Sequence, residues 1–167
     1  MAGVSTTCPK VLFVCLGNIC RSPLAQGVME AVAREAEVEL VVDSAGTGAY
    51  HVGEAPDPRG QATAKRHGLD TSGQRARQAT KADFDDFDLV VAMDRDNYAH
   101  LRRLASADMV KAKLRTFMSY VPEDGRKDVP DCWYADDPEE SFEDVYSVFV
   151  LGCPRILDEL LASRASS

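Results

Sequence analysis

Short apolar runs and amphipathic stretches alternate along the chain, which is the pattern of β-strands that alternate with α-helices. Residues 10–15 (KVLFVC) form a continuous apolar run rich in β-branched side chains, typical of a strand buried on both faces of a parallel sheet. After a short loop, apolar side chains recur at helical spacing, at Leu24, Val28, Met29, Val32 and Ala36. Pro23 suits the first turn of that helix. This region therefore predicts a strand, a loop and a helix.

The same alternation continues to the end of the chain. We predict further strands at 40–44, 88–93 and 113–117, and further helices at 59–67, 95–106 and 142–162, the last with a kink at Gly152 and Pro154. The proline-rich stretch 120–138 is predicted to be a loop. Strands that alternate with helices predict an α/β fold, in which a four-stranded parallel sheet carries helices on both faces as in a Rossmann-like three-layer sandwich.

Length and composition favour a single domain over residues 1–167, with a flexible tail at residues 1–9. The chain is 45% hydrophobic and 28% charged, which excludes disordered and collagen-like classes. Its apolar runs are too short to cross a bilayer. Residues 1–10 lack the apolar segment of a secretory signal, so we expect a cytoplasmic protein.

Charge and cysteine usage exclude several classes of partner and cofactor. The formal net charge of −8 disfavours nucleic acids and anionic membranes as partners, and the acidic clusters at 83–88 and 136–144 are predicted to be solvated surfaces. The five cysteines form no C-x-x-C pair and the three histidines stand far apart, so we expect no metal site. An odd number of cysteines favours reduced thiols, one of which is a candidate reactive group.

The loop after the first predicted strand is the candidate site, because open parallel sheets bind ligands beyond the carboxyl ends of their strands. Its inward-pointing amides and the following helix N-terminus form an anion nest that favours the thiolate of Cys15 over the thiol. Arg21 offers a planar fork for two phosphoryl oxygens, and Ser22 can donate a hydrogen bond to the sulfur. Gly17 permits close approach of a ligand, and Asn18 tolerates positive φ. A bare C-x5-R-S pattern also arises by chance, but its placement between a strand and a helix favours the site.

The segment VLFVCLGNICRSPLAQ resembles the phosphate-binding loop of the low-molecular-weight protein tyrosine phosphatases. The likeness continues through VDSAGTG, RGQATAKRHG, ARQATKADFDDFDLVVAMDRDN and DVPDCWYADDPEESFEDVY, and covers nearly the whole chain. It implies that Cys15 is the nucleophile, that Arg21 clamps the phosphate and that Asp131 is the general acid. It also implies that Asn18 and Ser22 order the loop and stabilise the thiolate.

The resemblance further implies which residues contact the substrate. These are the loop residues Leu16, Gly17, Asn18, Ile19, Cys20 and Ser22, and the rim residues Tyr50, His51, Trp133 and Tyr134. A deep slot with aromatic walls accepts a flat phosphorylated ring and keeps the shorter phosphoserine out of reach of the nucleophile. Surface packing of the same aromatic residues is the alternative interpretation.

The general acid is not identified by the residues alone, because no local spacing connects Asp131 to Cys15. Asp128, three residues earlier, is the alternative acid. In the family pattern the acid is followed by proline and then by aromatic residues. Here Cys132 stands where that proline is expected.

These features predict a metal-independent phosphotyrosine phosphatase that works through a cysteinyl-phosphate and needs no cofactor. Its expected partners are phosphotyrosine-containing proteins or peptides and small aryl phosphates, with inorganic phosphate as product. Cys20 lies five residues after Cys15, and two interpretations of it stay open: it forms a disulfide with Cys15 after attack by peroxide, or it packs in the loop as a small apolar residue.

Three alternatives remain open at this stage. One is a phosphoarginine phosphatase, although the residue that matches Ile19 is typically threonine in that branch. Another is an arsenate reductase, although those enzymes need a downstream cysteine pair and this chain has no cysteine from 21 to 131. The third is a catalytically weak phosphotyrosine-binding module.

Overall fold

The computed structural model describes residues 7–166, and its centre is one parallel sheet with the strand order β2-β1-β3-β4. The strands are β1 (Lys10–Cys15), β2 (Val41–Gly46), β3 (Leu89–Ala92) and β4 (Leu114–Thr116). In the register, Val11 of β1 lies between Val42 of β2 and Leu89 of β3. β1 is therefore an inner strand, which explains its uninterrupted apolar sequence. The predicted four-stranded parallel α/β fold is confirmed.

Helices cover both faces of this sheet. They are α1 (Arg21–Glu35), α2 (Pro58–Arg66), α3 (Asp83–Asp86), α4 (Arg95–Leu101), α5 (Ala107–Lys113) and α6 (Pro138–Ala165). Alternate residues of β1 point to opposite sides, as the pleat requires. Val11, Phe13 and Cys15 belong to the core beneath α1 and α6, whereas Leu12 and Val14 belong to the core beneath α3, α4 and α5.

The helix predicted at 95–106 is shorter in the structure, and a second helix follows it at Ala107–Lys113. α4 ends at Leu101, and α5 begins after Ser106, whose hydroxyl accepts a hydrogen bond from the Met109 N–H at 3.3 Å. Serine at this position is a helix N-cap, a start signal that the apolar spacing alone does not show. The short helix α3 was also missed, and it buries Asp83, so the acidic cluster at 83–88 is only in part a solvated surface.

The remaining boundaries differ from the prediction in detail. The stretch at 120–138 contains two short 3₁₀ turns, at Pro122–Asp124 and Cys132–Tyr134. α6 begins earlier than predicted, because Asp137 caps it, and its helical backbone continues through Pro154. Within residues 7–166, no helix combines the length and the apolarity that crossing a membrane requires.

The predicted tail at residues 1–9 lies mostly outside the described residues. Of the part that is described, Pro9 is buried, and its carbonyl accepts a hydrogen bond from the Val41 N–H at 2.9 Å. This bond attaches Pro9, the residue before β1, to the first residue of β2.

Gly152 of α6 packs closely against Phe117, the residue that follows β4, and this contact gives a stability prediction. A Cβ atom added there would lie 2.5 Å from Cε1 of the buried Phe117 ring. Alanine normally stabilises a helix relative to glycine by about 1 kcal/mol, but overpacking a core costs about 1–3 kcal/mol. We therefore expect Gly152→Ala to lower the free energy of unfolding by about 1 kcal/mol, measured by urea denaturation.

Gly73 provides the matched control, since a Cβ atom there meets open space. Gly73→Ala is expected to leave stability unchanged or to raise it slightly, because it reduces the entropy of the unfolded chain. A Gly152→Ala protein at least as stable as the wild type would show that α6 does not depend on this close contact.

Candidate active site

The loop between β1 and α1 turns back on itself at Asn18. This residue has a φ of 57°, in the left-handed region that non-glycine residues seldom occupy but asparagine tolerates. The turn directs the Asn18 N–H at the Cys15 sulfur, with an N···S distance of 3.3 Å. The last residue of β1 and the middle of the loop are thereby held together.

The Cys15 sulfur has a second polar neighbour in Ser22, on the first turn of α1. The Ser22 Oγ lies 3.0 Å from the sulfur and accepts a hydrogen bond from the Asn18 side-chain amide at 2.9 Å. The Ser22 Oγ also lies 3.5 Å from the Ala45 carbonyl, so the hydroxyl hydrogen can face either this oxygen or the sulfur. The sulfur thus has two polar neighbours, the Asn18 N–H and the Ser22 hydroxyl.

Asn18 is also connected to two parts of the chain that the sequence analysis did not include in the site. Its side-chain amide donates a second bond to the Ser44 hydroxyl at 2.9 Å, and its carbonyl oxygen accepts from the Arg77 N–H at 3.0 Å. Both amide hydrogens and the oxygen of this buried side chain are therefore satisfied. The bonds hold the strained turn in place from β2 and from the segment before α3.

Arg21 is buried, with only 3% of its side chain exposed, and its guanidinium lies at the floor of the same loop. Its Nη1 donates to Asp94 Oδ2 at 2.8 Å and to the Val129 carbonyl at 3.0 Å, while Nη2 lies 3.8 Å from Asp131 Oδ2. Burial on its own lowers the pKa of Arg21, but the charges of Cys15 and Asp94 outweigh it and raise that pKa further above its ordinary value. The group stays cationic.

Asp94 is a residue that the sequence analysis missed. It is the N-cap of α4, directly beyond the carboxyl end of β3, and its other oxygen accepts from the Asn97 N–H at 2.7 Å. The signal was present in the sequence, because a carboxylate after an inner strand of a parallel sheet lies at the ligand-binding edge. Asp94 fixes one side of the Arg21 guanidinium and leaves the Nη2 side toward the cleft.

The two candidate acids lie in different surroundings. Asp131 lines the cleft above Cys15, and its carboxylate accepts a hydrogen bond from the Trp133 N–H at 3.1 Å. Asp128 instead pairs with Arg95, whose Nη2 lies 2.9 Å from Asp128 Oδ2, and this hydrogen bonding lowers the pKa of Asp128. Of the two carboxylates, Asp131 and not Asp128 lines the cleft that contains Cys15, so the geometry favours Asp131 as the acid.

The cleft itself has a volume of about 360 Å³, at the lower end of the range for small-molecule sites. It is lined by Cys15, Leu16, Gly17, Ile19, Cys20, Arg21, Tyr50, His51, Asp131, Trp133 and Tyr134. Asn18 and Ser22 lie behind the sulfur and do not line the cleft. The fold therefore brings every sequence-predicted site residue to one place.

The rim of the cleft is aromatic and open to solvent. Tyr50 and Tyr134 are 76% and 79% exposed, and the His51 ring lies 5.8 Å from the Trp133 ring between centroids. In residues 7–166 there is no group of three or more histidine, cysteine or acidic side chains placed to hold a metal ion.

Arg59 and Asp57, at the start of α2, connect this rim to the loop between β1 and α1, and the sequence analysis also missed them. The Arg59 guanidinium lies 5.4 Å from the centre of the Trp133 ring, a cation–π distance. It pairs with Asp57, whose carboxylate accepts from both Nε and Nη2 of Arg59. The Asp57 N–H in turn donates to the Ile19 carbonyl at 2.8 Å.

The family described as low molecular weight phosphotyrosine protein phosphatase has a sequence model that matches residues 10–166 of this chain. The chain belongs to that family. The low molecular weight phosphotyrosine protein phosphatase of Homo sapiens is 41% identical over 153 residues, which cover 90% of this chain and 94% of the human protein. This family member is accordingly a protein tyrosine phosphatase.

Solved structures of similar proteins share the fold over nearly the full length. The crystal structure of YfkJ from Bacillus subtilis has a TM-score of 0.87 at 34% identity and covers 95% of this phosphatase and 98% of that chain. The drosophila arginine phosphatase DARP has a TM-score of 0.81 at 32% identity, and the match covers 90% of this phosphatase and 96% of that chain. The fold is thus shared by YfkJ, a low molecular weight protein-tyrosine-phosphatase, and by an arginine phosphatase.

The contact between Asp94 and Arg21 gives a prediction for this phosphatase. Asp94→Asn removes the charge that orients the guanidinium and retains the side-chain shape. We expect kcat/KM for phosphotyrosine to fall about tenfold, because a hydrogen bond between charged groups contributes about 1.5–3 kcal/mol and the asparagine oxygen keeps part of it. Steady-state kinetics measure the change.

Asp96→Asn is the matched control, since it removes the same charge from an exposed position on the same helix. That variant is expected to keep the wild-type kcat/KM. Equal kinetics for Asp94→Asn and Asp96→Asn would mean that Arg21 does not need Asp94 for its orientation.

Proposed function

We propose that this phosphatase hydrolyses phosphotyrosine and small aryl phosphates without a metal ion, through a phosphate ester of the Cys15 thiol. One observation carries the proposal: the Cys15 sulfur lies beside the Asn18 N–H and the Ser22 hydroxyl at the floor of a cleft that also contains the buried cation of Arg21. A stabilised thiolate beside a fixed guanidinium is the arrangement that attack on a phosphate monoester requires.

The first step forms a bond between the Cys15 sulfur and phosphorus and breaks the bond between phosphorus and the phenolic oxygen. Asp131, at the mouth of the cleft, gives its proton to the departing oxygen. In the second step water attacks phosphorus, Asp131 takes a proton from that water, and the sulfur leaves as thiolate. Inorganic phosphate is the product of this step.

Arg21 and the loop stabilise the phosphoryl oxygens during both steps. The guanidinium presents its Nη2 side to the cleft, and the amides at the N-terminus of α1 add positive partial charge. Negative charge develops on the equatorial oxygens of the transferring phosphoryl group in the transition state. These positive groups therefore stabilise the transition state more than the bound substrate. The loop needs no rearrangement, because Asn18 already holds it in its turn.

The rim supports an aryl substrate. Tyr50, Trp133 and Tyr134 surround the opening, and their faces can pack on a flat ring. Phosphoserine is too short to reach the sulfur while it fills this opening. Cys15 is buried at the bottom of the cleft, so the length of the phosphorylated side chain discriminates between these substrates.

Phosphoarginine hydrolysis is the second candidate function, favoured by the similarity to the drosophila arginine phosphatase DARP. Ile19 is buried and lines the cleft of this chain. Its apolar side chain offers no hydrogen bond to a guanidinium leaving group, whereas it packs well on an aromatic ring. Rates for phosphotyrosine, phosphoserine and phosphoarginine, compared in the presence of EDTA, distinguish the two, and we expect phosphotyrosine to be the preferred substrate.

The nucleophile gives the first catalytic prediction. Cys15→Ser places a hydroxyl where no neighbouring base can activate it, so turnover of p-nitrophenyl phosphate in EDTA should fall more than about a thousandfold. Circular dichroism checks that the variant is folded. A variant that keeps more than about 1% of the wild-type rate would exclude the cysteinyl-phosphate route.

The general acid gives the second catalytic prediction. Asp131→Ala should lower kcat/KM for phosphotyrosine about a hundredfold, because its basic leaving oxygen needs a proton when the cysteinyl-phosphate forms. An aryl phosphate with strongly electron-withdrawing groups needs none, and its kcat/KM should change little.

Asp128→Ala is the matched control for this experiment, since it removes a carboxylate from the same loop that is paired with Arg95. It should retain activity on both substrates. The assignment of Asp131 would be abandoned if its variant lost the same factor on both substrates, or if Asp128→Ala showed the leaving-group dependence instead.

A further inference from the structure

The segment that carries Asp131 is attached to the rest of the molecule on both sides of this residue. Before it, the Val129 carbonyl accepts a hydrogen bond from Arg21 Nη1 at 3.0 Å. After it, the Trp133 ring lies with its centre 5.4 Å from the guanidinium carbon of Arg59, on α2. The first attachment is a backbone contact, whereas the second depends on the side chain of another helix.

The position of Trp133 acts directly on the Asp131 carboxylate. The Trp133 N–H donates a hydrogen bond to Asp131 Oδ1 at 3.1 Å, while Asp131 Oδ2 lies 3.8 Å from Arg21 Nη2. One carboxylate oxygen is thus held by the backbone of Trp133, and the other faces the buried guanidinium. A displacement of Trp133 would therefore turn the carboxylate that is the proposed acid.

The backbone after Asp131 does not restrict this displacement by itself. The next residue is Cys132 and not proline, so no ring fixes its φ. The Cys132 side chain is buried and attaches the inner side of the turn, whereas Trp133 is 41% exposed. The Trp133 ring contacts His51, at 5.8 Å between ring centroids, and the Arg59 guanidinium. These contacts attach the outer side of the turn.

The Arg59 guanidinium is itself held in one orientation by Asp57. Its Nε and Nη2 donate to the two oxygens of the Asp57 carboxylate, at 3.0 Å and 2.8 Å. The Asp57 side chain is only 5% exposed, and it also caps α2 by accepting from the Arg59 N–H at 2.8 Å. Burial on its own raises the pKa of Asp57, but the hydrogen bonds from Arg59 outweigh it and lower that pKa. Two parallel bonds fix the plane of the guanidinium and leave its face for an aromatic ring.

We propose that Arg59 is a positioning residue for the general acid: its guanidinium, fixed by Asp57, holds the Trp133 ring and so keeps the Asp131 carboxylate at the mouth of the cleft. The proposal rests on the proposed function, in which Asp131 gives its proton to the leaving oxygen. Arg59 does not itself line the cleft, so it acts on the reaction through Trp133.

Asp57 also attaches this pair to the loop that contains the nucleophile. Its N–H donates to the Ile19 carbonyl at 2.8 Å, and Ile19 belongs to the loop between β1 and α1. The Asp57–Arg59 pair therefore contacts the loop of Cys15 on one side and the segment of Asp131 on the other. Loss of Asp57 would disturb both, whereas loss of the Arg59 guanidinium removes the contact with Trp133. Arg59 is therefore the residue to change.

The dependence of kcat/KM on the leaving group tests the proposal. Phenyl phosphate has a basic leaving oxygen that needs the proton of Asp131, whereas dinitrophenyl phosphate does not. Both present a phenyl ring to the rim, so the ratio of their kcat/KM values reports the position of the acid. Arg59→Met keeps the apolar stem and removes the cation. We expect it to lower the ratio of phenyl to dinitrophenyl phosphate about two- to fivefold, the range for an exposed cation–π contact, with the dinitrophenyl value unchanged.

A second variant keeps the test independent of the unpaired carboxylate that Arg59→Met leaves behind. Asp57→Asn combined with Arg59→Met removes this buried charge, and the asparagine still caps α2. It should lower the ratio by the same factor. Trp133→Leu instead removes the ring and leaves the Asp57–Arg59 pair intact. It should lower the ratio at least as much, and adding Arg59→Met to it should lower the ratio no further, because both changes remove one contact.

Arg66→Met is the matched control, since Arg66 is on the same helix and pairs with Glu143 of α6 instead. It should keep the wild-type ratio. An unchanged ratio in both Arg59 variants, or an equal loss of kcat/KM on the two substrates, would overturn the proposal, because Arg59 would then not act on the acid.

Asp131→Ala, measured with the same substrate pair, separates this proposal from the proposed function. A lower ratio in Asp131→Ala with an unchanged ratio in the Arg59 variants refutes only the role of Arg59. An unchanged ratio in Asp131→Ala refutes the assignment of the acid, and the role of Arg59 with it.

Discussion

The hydrogen bonds around the Cys15 sulfur depend on the left-handed backbone at Asn18. This turn brings one amide to the sulfur and places the Asn18 side chain where it orients the Ser22 hydroxyl. Such a conformation is strained for a residue with a side chain, and it persists because Ser44 and the Arg77 N–H satisfy the remaining polar atoms of Asn18. The polar surroundings of the Cys15 sulfur therefore depend on this one turn and on its hydrogen bonds to two other segments of the chain.

The parallel sheet brings those supports together. The carboxyl ends of β1, β2 and β3 meet at one edge, so Cys15, Ser44 and Asp94 lie close although they are far apart in sequence. Asp94 fixes the Arg21 guanidinium from one side, and the Val129 carbonyl accepts a second bond from the same nitrogen. The segment that carries Asp131 is therefore attached to the Arg21 guanidinium, so the proposed phosphate clamp and the proposed acid are positioned together.

Sequence patterns predicted the local parts of this arrangement. The apolar run of β1 and the loop motif predicted Cys15 at the end of a strand and Arg21 and Ser22 at the start of a helix, because short-range spacing determines these elements. Asp94, Asp57 and Arg59 were not predicted, since their importance comes from contacts with distant segments.

The central claim is that phosphate is carried by the Cys15 sulfur, and trapping that ester tests it most directly. The enzyme is mixed with excess substrate, quenched in acid within one turnover, digested and analysed by mass spectrometry without exposure to base. The account predicts residues 11–21 heavier by one phosphoryl group, with fragment ions that place it on Cys15. Full turnover with no phosphorylated peptide, or with the phosphoryl group on another residue, would contradict the account.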